Sequence, residues 1–223
     1  MKSEEDQIVN AEYRSLYYKF FSMALLYPTD ELVFRISSQE FWQGLVSMLE
    51  ATGTTSSCGE LARQGNQISN ELADGGIVLE MEYNRLFQLS QQFACPLTAS
   101  EYLPGESRQA MAVAQLKGLY KAFGLQIRPV TEADHLSVLL EFMSFLCAKE
   151  AHAIHKGDEN DACQCRKAQA IVLEDFLGWL PLFLSTVRLN AQLKFYPWIT
   201  GLLTEFLRSE RQLVLSQIKV ESK

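Results

Sequence analysis

Apolar residues recur at helical spacing along almost the whole chain, and no segment sustains a period-two alternation bounded by hairpin turns. That pattern excludes most architectures built on a sheet. Over 5–27 the positions Ile8, Val9, Leu16, Phe20, Met23, Ala24 and Tyr27 predict one helix, which Pro28 stops. Phe34, Phe41, Trp42, Leu45, Val46 and Leu49 predict one or two shorter helices ending near Thr52-Gly53. Ser57-x-x-Glu60 has the form of a capping box and opens a helix to about Leu72, which Asp74-Gly75-Gly76 breaks.

Further helices are predicted over 77–89 and over 107–123, the latter ending at Gly124, a natural residue for a left-handed helix end. Thr131-x-x-Asp134 is a second capping-box candidate, with the Asp134 carboxylate reaching back to the Thr131 N–H. It would start the strongly periodic run Leu136, Leu139, Leu140, Met143, Leu146 and Cys147, which Lys156-Gly157-Asp158 ends. The stretch 161–218 predicts two long helices joined around 190–197, with Pro181 kinking or splitting the first. The expected fold is all-α, a single-domain helical bundle of roughly eight to ten helices spanning 1–223. Six Pro and 12 Gly fall mostly between these helices, as that reading requires. The irregular stretch 90–105 is longer than a routine helix–helix connection, a property often found in functional loops. A hinge is expected within 90–106 or within 125–131.

A net charge of −7 and the lack of a basic run point away from nucleic acid, whose phosphates need a lysine and arginine footprint. An acidic surface favours a basic peptide or protein segment instead. No secretory signal is visible, and the longest apolar runs, 20–27 and 176–184, are too short to span a bilayer, so no stable membrane insertion is expected. Five cysteines do not read as a disulfide framework. Cytoplasmic location is the expectation.

Motifs for catalysis are missing. Neither a phosphate-binding loop, a dinucleotide fingerprint, a nucleophile elbow nor an H-E-x-x-H helix occurs, and only three histidines are present. No enzyme activity and no cofactor are therefore expected. A metal- or thiol-dependent alternative would use His152 and His155 at i, i+3 with Cys163-x-Cys165 across a turn. The bland reading is that histidines near a helix C-terminus interact favourably with its dipole. Asp134-His135 likewise reads first as a helix cap, but Asp134, Ser137 and Glu141 share a stripe that would make an acidic edge for a cationic peptide. Tyr83, Leu86 and Phe87, at i, i+3, i+4, read as core packing or, just before the irregular stretch, as the lining of an apolar groove.

Three blocks resemble the TorD/DmsD group of redox-enzyme maturation chaperones. The first is Glu82-Tyr83-Asn84-Arg85-Leu86-Phe87 with Pro96-x-x-x-Ser100-x-Tyr102. The second is Glu132-Ala133-Asp134-His135-Leu136 through Leu140-Glu141-Phe142-Met143, with Ala133 where the pattern has Pro. The third runs over 173–179 with Pro181, then Phe195-Tyr196, and carries Phe176 where the pattern has His. Thr98 and Glu101 also depart from the usual loop. The N-terminal third matches only in being helical.

The resemblance implies a cytoplasmic chaperone that binds the apo form of a molybdopterin-dependent catalytic subunit, assists cofactor insertion and, in many members, binds a twin-arginine signal peptide. It implies a client-binding region at Tyr83, Leu86, Phe87, Pro96, Ser100, Tyr102, Asp134 and His135, to which the acidic-edge reading adds Glu141. Residues 120–124 and 145–150 look closer to the subgroup serving ethylbenzene- or dimethylsulfide-dehydrogenase-like enzymes and chlorate or selenate reductases. A monomer or a helix-exchanged dimer is expected.

Overall fold

A computed structural model of the chain describes residues 3–38, 40–44, 65, 67–72, 76–88, 95–128 and 131–221. Eight α-helices have defined bounds: α1 Glu4–Ala24, α2 Asp30–Ile36, α3 Gly76–Tyr83, α4 Glu106–Ala122, α5 Leu136–His155, α6 Glu159–Ile171, α7 Leu180–Asn190 and α8 Phe195–Glu221. Shorter helical pieces lie at 40–44 and 67–71. No sheet forms among the described residues; one isolated antiparallel bridge joins Thr98 to His135. The all-α expectation holds, with about ten helices. The Ser57/Glu60 box and Asp74-Gly75 lie outside the described residues.

Local chemistry sets the helix ends. Ser3 and Asp6 form a reciprocal capping box at the start of α1, and Thr29 caps α2 through the Leu32 N–H. Gly124 and Gly157, at φ of 75° and 71°, adopt the left-handed turn that closes α4 and α5. Pro181 lies in the first turn of α7, where its missing N–H costs no helical bond. It therefore splits the predicted long helix rather than kinking it. α6 first continues into a π turn, Val172–Phe176, and α3 likewise ends in one at Asn84–Gln88.

The second capping box does not form. α5 starts at Leu136, its N-cap is His135, and His135 Nδ1 accepts the Ser137 N–H at 3.2 Å. The Asp134 carboxylate instead accepts the Ser100 N–H at 2.8 Å, from a segment 34 residues away. A long-range donor thus won the carboxylate that local spacing assigned to Thr131.

One continuous core runs through the bundle. α1 lies along α5, with Tyr17, Tyr18 and Phe21 buried on one side and Leu139, Leu140, Met143 and Leu146 on the other. Serines allow close approach there: Ser15 and Ser22 hydroxyls donate to the carbonyls of Ser144 and Ser137 at 2.9 and 2.8 Å. Phe206 of α8 closes the third side, its ring 4.9–5.6 Å from those of Tyr17, Tyr18 and Phe21.

A buried ionic network crosses this core, which the sequence pattern did not reveal. Arg14 donates to Glu210 through Nε at 2.8 Å, to Glu150 at 3.1 Å and to Gln169. Glu150 also accepts from Gln169 at 2.8 Å and from Arg166 at 3.2 Å. Four helices, α1, α5, α6 and α8, thereby share one balanced set of charges. Removing Arg14 leaves the buried Glu210 without its counter-charge.

Among the described residues no single helix is long and apolar enough to cross a membrane; α6 with its π turn and α7 would do so only as a pair, and they meet at a 51° bend.

Candidate functional site

The segment 95–104 lies on the bundle, its backbone tied down by hydrogen bonds at several points. The Cys95 N–H donates to the Leu86 carbonyl at 3.1 Å, and the Leu97 carbonyl accepts the Leu136 N–H at 2.6 Å. Asp134 holds the following 3-10 turn, Ala99–Tyr102, twice: its carbonyl accepts the Ala99 N–H at 3.1 Å and its carboxylate the Ser100 N–H. The Tyr102 hydroxyl donates back to the Pro96 carbonyl at 3.0 Å, closing the loop on itself. Beneath, the buried Tyr120 hydroxyl donates to the Ala133 carbonyl at 2.7 Å and fixes the chain just ahead of Asp134. A loop anchored at these points mounts its side chains on the bundle.

What it presents is half-buried. Pro96, Thr98, Ser100, Tyr102 and His135 are partly accessible, and Glu101 is exposed. Burial pushes the His135 imidazole below its usual pKa, with the Asp134 charge opposing. The neutral ring is the form its cap needs, because Nδ1 must remain an acceptor. Tyr102 stacks on Trp179, centroids 4.3 Å apart and planes 15° apart. Trp179 meets Phe183 at 5.3 Å, Phe183 stacks with Phe87 at 6.1 Å, and Phe87 meets Tyr83 at 5.0 Å and Tyr196 at 5.1 Å. An unbroken aromatic array therefore links the loop to α3. Beside Ser100 lies a shallow open cavity of about 460 Å³, bordered by Glu106, Gln109, Ala110, Val113 and Lys117.

The structure brings Pro96, Ser100, Tyr102, Asp134 and His135 together, and joins Phe87 and Tyr83 to them through the array. Tyr83 and Leu86 are buried, so core packing, the first of their two readings, describes them; burial raises the Tyr83 phenol to about 12. Asp134 and Ser137 are buried as well, whereas Glu141 is exposed on α5 and pairs with Lys19 of α1 at 2.6 Å. The three do not form an open acidic stripe.

Two contributions had no role in the sequence reading. Trp179, present in the third block, completes the loop's stacking surface, and its indole N–H donates to the Phe176 carbonyl at 2.7 Å. Glu82 and Arg85 form a buried clamp on the α7–α8 connection. Glu82 accepts the Gln192 and Leu193 N–H groups at 2.6 and 3.1 Å, while Arg85 bridges from Glu82 to the Asn190 carbonyl at 2.6 Å. A carboxylate three residues before a guanidinium was the signal available for it.

The residues of the metal alternative stay apart in role. His152 and His155 are exposed and border an open cavity of about 640 Å³ with Glu12 and Leu16, whereas Cys165 is buried, its thiol raised to about 11 by that burial. Among the described residues no group of three or more His, Cys, Asp or Glu is placed to hold a metal ion.

Fold and site together define an all-α bundle with one anchored, aromatic-backed loop. The chain belongs to the nitrate reductase delta subunit family, whose pattern matches residues 39–185, a family-level match to TorD/DmsD-like redox-enzyme maturation proteins. It is similar to the perchlorate reductase assembly chaperone protein of Dechloromonas aromatica (strain RCB), 28% identical over 144 residues, which is 61% of this chain. The match spans 63% of that relative's length. A crystal structure solved as a candidate redox enzyme maturation protein from Archaeoglobus fulgidus is similar at 21% identity and a TM-score of 0.45, over 90% of this chain and 93% of that one.

Proposed function

We propose that the chain is a non-catalytic assembly chaperone acting in the cytoplasm. It binds the apo catalytic subunit of a molybdopterin-dependent oxidoreductase before cofactor insertion, through the surface formed by Phe87, Pro96, Ser100, Tyr102, His135 and Trp179. The observation that carries this reading is the 95–104 loop. Its backbone is anchored to Leu86, Asp134 and Leu136 while Tyr102, Trp179 and His135 remain half-open, the arrangement of a preformed contact surface. The client's N-terminal segment, including a twin-arginine signal where one exists, is the proposed ligand. Its guanidinium groups would find Glu101 and Glu106, both exposed beside the loop, since Asp134 and Glu141 already have partners. Support for a client of the perchlorate, chlorate or selenate reductase type comes from the relative's name and from the resemblance at 120–124 and 145–150.

The test is co-expression with a candidate catalytic subunit, followed by co-purification and assay of the subunit's cofactor content. Tyr102→Ala and Trp179→Ala are expected to weaken binding of the client's N-terminal peptide about tenfold or more, with helicity unchanged. Unaltered peptide binding and unaltered cofactor content in both variants would sink the reading.

A further inference from the structure

Where α6 with its π turn bends by 51° into α7, α8 packs against both. A cavity of about 140 Å³ lies there, lined by Leu173, Leu177, Leu180 and Leu207, each of them buried. A leucine-lined cavity of about 150 Å³ holds one benzene ring, so this one has room for a single aliphatic side chain. Arg208 and Arg211 of α8 border the same cavity. Arg211 is bonded to Glu174, whereas Arg208 forms no ion pair among the described residues. Farther along the α7–α8 seam, the Arg188 guanidinium lies 3.3 Å from where a Cβ on Gly201 would stand, and it too has no ion pair among the described residues. Gly201 precedes Arg208 by seven residues, about 10 Å along the helix axis. Glu205, between them on α8, bonds to neither arginine. On a molecule of net charge −7 the seam is a local excess of positive charge.

We infer that this seam binds the carboxy-terminus of a partner polypeptide, with an aliphatic last side chain in the leucine-lined cavity, its α-carboxylate on Arg208, and an acidic side chain three residues earlier on Arg188. The spacing follows from chain geometry. An extended chain advances about 3.3–3.6 Å per residue, so about 10 Å is three residues. The charge count favours a carboxylate over a phosphate. Arg211 already has Glu174, which leaves Arg208 as the available partner at the cavity, and one guanidinium matches one carboxylate in a two-bond fork. A phosphate brings a charge of about −1.5 to −2 to the same place. A free short-chain acid would fill the cavity but leave Arg188 unengaged, whereas a polypeptide end uses both cations. The partner is defined by the chemistry of its end and does not depend on the loop at 95–104.

The experiment uses the full chain and a fluorescein-labelled peptide, Gly-Ser-Glu-Ala-Ala-Leu with a free carboxy-terminus, read by anisotropy. The expected result is saturable binding that weakens as salt rises. The same peptide ending in a carboxamide should bind about tenfold more weakly, as should one ending in glycine. Arg208→Gln, altered only at an exposed position, should weaken binding of the acid peptide about tenfold and leave that of the amide unchanged. Replacing the peptide's glutamate by glutamine should weaken binding to the unaltered chain but not to Arg188→Gln, and Glu205→Gln should tighten it. Tyr102→Ala should leave all of this unchanged even where it abolishes binding of the client's N-terminal peptide, which separates failure of this site from failure of the loop. No binding, equal binding of acid and amide, or no effect of Arg208→Gln overturns the inference. So does displacement of the labelled peptide by 4-methylpentanoate as readily as by unlabelled peptide, which would give the cavity to a small acid.

Discussion

His135 caps α5 with an unprotonated Nδ1, and burial lowers its pKa in the folded chain. The sign follows from linkage. Between the lowered folded value and the ordinary imidazole value of about 6.5, the unfolded chain binds the extra proton, so stability falls as pH drops through that window. Above it the contribution is fully present. Denaturant midpoints measured across this range should therefore decline towards acid, and His135→Asn, which keeps a capping acceptor, should flatten that part of the decline. Asp134 acts differently: Asp134→Ala strips the Ser100 N–H of its partner and should cost about 1–3 kcal/mol in urea unfolding, with Asp134→Asn recovering most of it. The sequence made Asp134 a local cap because spacing exposes only neighbours. Its real partner sits across the fold, and no periodicity encodes that.

At the scale of elements, helices were legible wherever apolar spacing and a stop signal coincided. α1 with Pro28, α4 with Gly124 and α5 with Gly157 all fall within a few residues of expectation. The π turns and the split at Pro181 blur that spacing, and buried charge defeats it: Arg14, Glu150, Arg166 and Glu210 resemble solvated residues in any hydropathy reading. Arg14→Met should cost about 3–5 kcal/mol, since it strands the Glu210 carboxylate in the core. The Arg14→Met/Glu210→Met pair should lose far less than the sum of the two single changes, a coupling that a double-mutant cycle in urea measures directly. Glu82 offers a gentler test. Glu82→Ala frees the amides of Gln192 and Leu193, whose hydrogen exchange should quicken while that of the α1–α5 pair stays slow.

Across the whole molecule, the candidate site was legible as a set of residues but not as a surface. The blocks around Tyr83, Ser100 and Asp134 could be quoted from the chain, yet only the fold sorts them into inner and outer members. Tyr83, Leu86, Glu82 and Asp134 are buried and hold the mount; Phe87, Pro96, Tyr102, His135 and Trp179 face outwards in part. Motif residues are thus divided between building a loop and meeting a partner, and variants of the two kinds should differ in character. Changes in the mount lower stability and binding together, whereas Tyr102→Ala and Trp179→Ala affect binding with little loss of stability.

The Tyr102–Trp179 stack has a spectroscopic consequence. Of the chain's three tryptophans, Trp42 and Trp198 lie edge-to-face with one another at 4.7 Å. Trp179 is the indole that the loop covers, so its emission is a built-in optical gauge of whether the loop is seated. In a Trp42→Phe/Trp198→Phe background, a partner that lifts Tyr102 away should shift that emission to the red, and one that settles over the stack should shift it to the blue, with no label attached.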